Sequence, residues 1–174
     1  RDARGSLRSI GRNVQKEPVL SLSLSVVIPT LHNATLVATL EALRYQADPP
    51  DEVIVVGLYD VQLTGAFPDF RFIDTQVPRC AAAARNIGIR AACGSVVAFT
   101  DSDCLPSPDW VGQHREAHGA GALIVGGGVL LAGGNYWAQA DNVSMFHEFL
   151  ACHPPSERHL LPTLNFSVRR SVID

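Results

Sequence analysis

Asp101 and Asp103 stand two residues apart at the end of the apolar run Ser95-Val-Val-Ala-Phe-Thr100. If extended geometry continues past Thr100, both carboxylates project to one side of the chain. Two unpaired carboxylates so close raise each other's pKa, and a divalent cation removes that repulsion. Hard oxygen ligands select Mg2+ or Mn2+, and Mg2+ commonly takes one or two carboxylates together with substrate phosphates. The pair therefore predicts a metal site that works on a phosphorylated ligand; the competing reading is an Asx turn. Arg85, on a helix predicted over Arg79 to Cys93, carries a planar fork suited to a diphosphate. On spacing alone, a surface arginine paired with a carboxylate is the stronger reading of it.

Other polar residues point less far. His114 and His118 lie four apart on a predicted helix, yet Glu116 is not placed as in H-E-x-x-H and no third ligand is evident, so packed or solvated histidines are expected. Gly126-Gly-Gly128 has no Lys-Ser/Thr after it, and close backbone packing explains it better than a phosphate loop. Trp110, Trp137 and Phe146 fit either a core or a cleft wall.

The elements that must position these groups alternate. Leu22-Ser-Leu-Ser-Val-Val-Ile28 reads as a buried strand that leaves its sheet at Pro29-Thr30. Ala34 to Gln46 has Leu36, Val37, Leu40 and Leu43 at helical spacing, and Asp48-Pro-Pro-Asp51 stops it. Glu52 to Val56 and Phe70 to Asp74 are further strands. The Ala-rich helix from Arg79 closes at Gly94, and Ser95 to Thr100 is a fourth strand. Beyond it come a helix over 109–119, a glycine-interrupted strand over Ala122 to Leu131, an amphipathic helix over Asn135 to Leu150 with Trp137, Met145, Phe146 and Phe149, and a strand over Leu161 to Arg170. This order predicts a Rossmann-like α/β sheet, mostly parallel, with helices on both faces. Ligands of such sheets lie beyond the carboxyl ends of the strands, where Pro29 to Asn33 and Asp101 to Asp103 fall.

Composition excludes several classes. With 174 residues, 47% hydrophobic and 18% charged, the chain can build a core and is not a disordered protein. A net charge of −3 argues against nucleic acid as a partner. Four cysteines without a C-x-x-C pair argue against a zinc ribbon or a disulfide scaffold, and fit reduced thiols in a cytoplasmic protein. No apolar run reaches the roughly 18 residues of a membrane span. Residues 1–17 carry five cations and two anions. Residues 1–21 thus read as a flexible basic tail before a domain over 22–174; weak peripheral attraction to an anionic membrane surface is the minor alternative.

These motifs, in this order, resemble glycosyltransferase family 2 with its GT-A fold. The resemblance begins at Ser25-Val-Val-Ile-Pro-Thr30, continues through Asp51-Glu-Val-Ile-Val-Val56, and is strongest over Ala82-Ala-Ala-Arg-Asn-Ile-Gly88 and Gly94-Ser-Val-Val-Ala-Phe-Thr-Asp-Ser-Asp103. Val125-Gly-Gly127 and Asn165-Phe-Ser-Val-Arg-Arg170 extend it, so that it spans about Leu22 to Asp174. It implies transfer of a sugar from a UDP- or GDP-type donor to an acceptor hydroxyl with inversion, the acceptor being unknown. Pro29 and Thr30 would border the base, Arg85 would lie near the nucleotide, Asp101 would meet the ribose, and Asp103 would hold Mg2+ or Mn2+ against the diphosphate.

Two departures from the family pattern stand out. Gly57-Leu-Tyr-Asp60 occupies the stretch where the family has a base-reading Asp, with Asp60 as a candidate substitute. The stretch that carries the family's general base is expected after Asp174, so the catalytic base is unassigned. A non-catalytic nucleotide-sugar-binding or partner-binding module is the alternative. Nucleotidyl transfer is disfavoured because Thr30-Leu-His-Asn33 lacks a Gly-rich signature and a Lys, and a dehydrogenase because no G-x-G-x-x-G follows Ile28.

Overall fold

Every side chain from Leu24 to Thr30 is buried. A strand can bury consecutive residues only when both faces of its sheet are covered, because alternate side chains point to opposite sides. In the computed structural model, which describes residues 22–173, this run is the central strand β1 (Leu24–Leu31). The expected tail over 1–21 and Asp174 lie outside the described residues.

From β1 the chain runs through α1 (Leu36–Arg44), β2 (Glu52–Leu58), α2 (Gln62–Ala66), β3 (Arg71–Asp74), α3 (Ala81–Ala91) and β4 (Val96–Phe99). There follow α4 (Trp110–Gly119), β5 (Ile124–Gly126), α5 (Tyr136–Phe146), β6 (Phe166–Arg169) and α6 (Arg170–Ile173). The six strands form one sheet in the order β3-β2-β1-β4-β6-β5. β3, β2, β1 and β4 are parallel, with Val27 opposite Ile54 on one side and Phe99 on the other. β6 runs antiparallel to both β4 and β5.

Each face has its own core. Leu24, Val26 and Ile28 pack with Leu36, Leu40 and Leu43 of α1 and with Trp110 and Val111 of α4. Val27, Ile54, Val56 and Phe99 pack on the opposite face beneath Ala84 of α3. A Cβ at Gly88 would overlap Val27, so the backbone of α3 rests directly on β1. Arg115 of α4 pairs with Asp48 and Asp51, and Asp51 also accepts the Leu24 N–H at 2.7 Å, tying α4 to the start of the sheet.

Several boundaries differ from the sequence expectation. β1 does not leave the sheet at Pro29: Pro29 pairs with Val56 and Thr30 with Gly57. Ser23 and Val27 turn their carbonyls toward β4, whereas Leu24 and His32 bond on the β2 side. Pro29, in phase with Val27, therefore presents its missing N–H to the side where β4 has already ended, and no ladder bond is lost. The expected strand over Ala122 to Leu131 shrinks to three residues. Gly126, Gly127 and Gly128 are instead pressed against Leu161, Asn165 and Ala151, so close packing does explain them. The strand expected from Leu161 begins only at Phe166, after a 3-10 turn over Thr163–Asn165. α5 ends at Phe146 and is not a core-facing stripe: Trp137 is 78% and Met145 65% exposed, while Trp110 is buried in the core. Among the described residues, no helix is long and apolar enough to cross a membrane.

Candidate functional site

The chain leaves β1 in two directions. β1-α1-β2 builds the sheet one way, and β3-α3-β4 crosses back to the other side of β1. Between the carboxyl ends of β1 and β4 the loops part, and a crevice opens there as in other open α/β sheets. It has a volume of about 380 Å3. Pro29, Thr30, Arg85, Asp101 and Asp103, the residues singled out in the sequence, all line it.

Arg85 follows Ala84, which α3 buries against the sheet, and so sits on the flank of the helix that faces the end of β4. Its Nη2 donates to Asp101 Oδ1 in an ion pair whose side chains are 15% and 32% exposed. The arginine–carboxylate pairing favoured by spacing is thus present, and it lies inside the crevice. Arg85 Nε is buried without a partner, and so is the hydroxyl oxygen of Thr30, a residue only 7% exposed. Buried polar atoms normally find partners, and both residues belong to the lining of the crevice.

Asp101 and Asp103 do not continue the strand. The Cys104 N–H donates to the Asp101 carbonyl at 3.1 Å, closing a turn over the two residues. The backbone turns where extended geometry was expected, and it does so through a main-chain carbonyl, not through an Asx turn. Asp101 is turned to Arg85, whereas Asp103 is exposed and meets only the Cys104 thiol at 3.8 Å among the described residues. Burial, and the nearby charges of Asp103 and Asp101, push the Cys104 thiol up to about 11. No cluster of three His, Cys, Asp or Glu side chains able to hold a metal occurs among the described residues. One exposed carboxylate beside a crevice suits a cation that completes its shell with phosphate oxygens and water, and Mg2+ and Mn2+ accept that arrangement. The donor set at Asp103 fits such an ion.

Sequence reasoning missed the residues that hold this turn in place. Thr35 Oγ1 donates to the Ser102 carbonyl at 3.0 Å, and buried Thr39 donates to the Cys104 carbonyl at 2.8 Å. Gln46 Nε2 donates to the Ser107 carbonyl at 2.7 Å, and its Oε1 accepts the Val111 N–H at 3.0 Å. The signal was available: Thr39 and Gln46 are polar on the face of the first helix that otherwise carries Leu36, Leu40 and Leu43.

Gly57, the next-to-last residue of β2, lies beside Thr30 with φ +142°, and a Cβ there would overlap the Thr30 carbonyl oxygen, so the position excludes a side chain. Asp60 accepts the Gln62 N–H at 2.9 Å at the start of α2 and does not line the crevice. His114 and His118 are buried and bonded, as packed histidines. His114 meets Ser167 Oγ at 2.7 Å and Asn165 Oδ1 at 3.0 Å, and His118 meets Ser167 Oγ and the Ala122 carbonyl at 2.8 Å each. Burial lowers both, His114 to about 4.

Comparison with known proteins places this architecture. The chain is 28% identical over 163 residues to Glycosyltransferase AglE of Haloferax volcanii, a match covering 87% of this chain and 54% of that relative. The mannosyltransferase PcManGT of Pyrobaculum calidifontis, solved with GDP-Man and Mn2+, superposes with a TM-score of 0.61 at 21% identity, over 87% of this chain and 46% of that one. Glucosyl-3-phosphoglycerate synthase of Mycobacterium tuberculosis, solved with Mn2+, UDP and phosphoglyceric acid, gives a TM-score of 0.58 at 22% identity, over 88% and 57% respectively. The chain thus spans about half the length of the proteins it matches, and the shared fold is of the GT-A type. The family model for glycosyl transferase family 2 matches residues 25–173, nearly the whole of the described structure, and the chain belongs to that family.

Proposed function

We propose that the crevice between β1 and β4 binds a nucleoside-diphosphate sugar of the UDP or GDP type, and that the protein transfers its sugar to an acceptor hydroxyl with inversion. The observation that carries the reading is the convergence of Thr30, Arg85, Asp101 and Asp103, from three separate elements, on one crevice. The complexes of PcManGT and of glucosyl-3-phosphoglycerate synthase with nucleotides and Mn2+ support it.

In this reading Pro29 and Thr30 border the base. Asp101, steadied by Arg85, keeps acceptor oxygens for the ribose hydroxyls. The unpaired Nε of Arg85 offers a donor to the nucleotide. Asp103 would hold Mg2+ or Mn2+, which when bound supplies Lewis-acid neutralisation of charge on the leaving diphosphate. Thr35 and Thr39 keep the turn over Asp101 to Cys104 in register with the end of β1, and Gln46 anchors the segment after it at Ser107 and Val111, so that both carboxylates are set before the ligand arrives.

Calorimetric titration with UDP- and GDP-linked sugars, with and without Mn2+, tests the proposal. Binding of one of them that strengthens with Mn2+ is expected; no binding of any in either condition would sink it. A second reading, a nucleotide-sugar-binding module without transfer, is favoured by Gly57, where no base-reading side chain can stand. Sugar transfer or donor hydrolysis by the chain, measured as nucleotide release, separates the two.

A further inference from the structure

The buried histidines of α4 belong to a hydrogen-bonded chain whose protons can be counted. The Ala122 carbonyl meets His118 Nδ1 at 2.8 Å, and His118 Nε2 meets Ser167 Oγ at 2.8 Å. Ser167 Oγ meets His114 Nδ1 at 2.7 Å, and His114 Nε2 meets Asn165 Oδ1 at 3.0 Å. Both ends are acceptors. One is a carbonyl oxygen, and at the other Asn165 cannot turn its amide round. Its Oδ1 also accepts the Trp110 Nε1–H at 2.8 Å, while its Nδ2 donates to the Gly128 carbonyl at 2.9 Å. The four links need one proton each, whereas two neutral rings and one hydroxyl supply three. In every neutral arrangement, therefore, one ring nitrogen lone pair faces an oxygen. Ser167 and His118 are 0% and His114 3% exposed, so solvent does not make up the difference.

The position of the missing proton follows from the other partners. Among the described residues, the Ala122 carbonyl and the Ser167 hydroxyl have none outside the chain, but Asn165 Oδ1 already has the Trp110 N–H. The link that can be forgone is the one from His114 to Asn165. Charge around the rings is uneven. Arg169 of β6 donates to the His118 carbonyl at 2.6 Å and opposes charge on that ring. Arg115 of α4 is turned to Asp48 and Asp51, and Glu116 is exposed. β4, β5 and the 3-10 turn over Thr163–Asn165 bring no titratable side chain. We infer that His114, Ser167 and His118 form a single-proton site: one proton enters at Nε2 of His114 and completes the link to Asn165, and a second is excluded from His118. Burial holds that uptake below the ordinary histidine range. Asn165 also accepts the Gly127 N–H at 3.0 Å, so the proton arrives at the root of the excursion over 127–165 and makes it sensitive to pH.

Long-range proton–nitrogen correlation spectra of the imidazole rings, recorded on the full chain between about pH 7 and pH 4.5, test this. At the upper end both rings are expected as neutral Nδ1–H tautomers. As pH falls, His114 is expected to become imidazolium while His118 stays neutral for as long as the chain is folded. The Gly127 and Gly128 amide resonances are expected to move with the His114 midpoint. Ser167→Ala removes the acceptor of the His114 Nδ1–H and is expected to switch neutral His114 to its Nε2–H tautomer, which donates to Asn165. A ring that is only packed keeps its tautomer in that variant. Asn165→Asp sets a carboxylate at the open link and is expected to raise the proton affinity of His114 about tenfold or more. Where a variant fails to fold, the spectra of the unaltered chain decide. An Nε2–H tautomer of His114 in the unaltered chain at neutral pH, proton uptake by His118 first or by both rings together, or Gly127 and Gly128 amides indifferent to the titration would each overturn the inference. So would an unchanged tautomer in Ser167→Ala or an unchanged His114 midpoint in Asn165→Asp.

Discussion

Asp101 and Asp103 are near neighbours in sequence with different surroundings. Asp101 is neutralised by Arg85 within the crevice, and Asp103 remains an exposed carboxylate without a cationic partner among the described residues. The division follows from the turn at Cys104, which rotates the second carboxylate away from the strand direction. Asp103→Ala is expected to remove the Mn2+ enhancement of donor binding, a loss of about tenfold or about 1.4 kcal/mol, with the thermal midpoint unchanged because the side chain supports no packing. Equal Mn2+ enhancement in the variant would exclude Asp103 as a ligand. Gly57 is constrained from the opposite direction. Its φ of +142° and the closeness of the Thr30 carbonyl mean that Gly57→Ala is expected to destabilise the fold by about 2 kcal/mol or more, read as a lower denaturant midpoint. The chemical identity of these residues was legible in the sequence. Their geometry was not, because the turn over Asp101 to Cys104 is held by hydroxyls on α1, some sixty residues earlier in the chain.

At the scale of elements, α1 does more than cover a face of the sheet. Thr39 sits among leucines and spends its hydroxyl on the Cys104 carbonyl. Thr39→Val keeps the shape and deletes that bond, so a stability loss of about 1–2 kcal/mol and weaker donor binding are expected together, measured by chemical denaturation and calorimetry. The buried polar cluster of α4 and β6 predicts a pH dependence. His114 and His118 are both lowered by burial, with Arg169 of β6 further opposing charge on His118 and no carboxylate facing either ring among the contacts found. The unfolded chain, with ordinary histidines near 6.5, therefore binds more protons than the folded one below that pH. Stability is held above about pH 6.5 and falls as pH drops toward about 4. Urea midpoints measured between pH 7 and pH 4.5 check the slope, and a flat profile would contradict neutral buried rings. β1, β2 and β4 were legible as strands because burial on both faces leaves unbroken apolar runs. β5 and β6 were legible as strands but not in their extent, being only three and four residues long and bounded by their pairing partners, and the five-residue α2, set by a local turn, was missed. α5 misled for a different reason: its apolar residues have helical spacing, yet Tyr136, Trp137, Val143 and Met145 are exposed and Phe146 is only half-buried.

At the scale of the molecule, the sheet divides the labour. Its parallel half, β3-β2-β1-β4, carries every residue of the crevice, while β6 and β5 extend the sheet past β4. Gly126 at the end of β5 and Phe166 at the start of β6 are paired, and Phe166 lies opposite Phe99 at the end of β4. The long excursion over residues 127–165 therefore leaves and returns at the same edge as the crevice. That edge is where donor and acceptor would meet, and the matched relatives are about twice as long as this chain. Family membership was legible from the order of the motifs, since each marks the carboxyl end of a strand or the helix beside it. The most direct test of the account is a crystal structure of the chain with Mn2+ and the UDP or GDP it binds, the metal located by anomalous scattering. The account predicts Mn2+ coordinated directly by Asp103, with the nucleotide lying between the ends of β1 and β4 beside Thr30 and Arg85. A nucleotide bound elsewhere, or one bound in the crevice with Mn2+ away from Asp103, would contradict it.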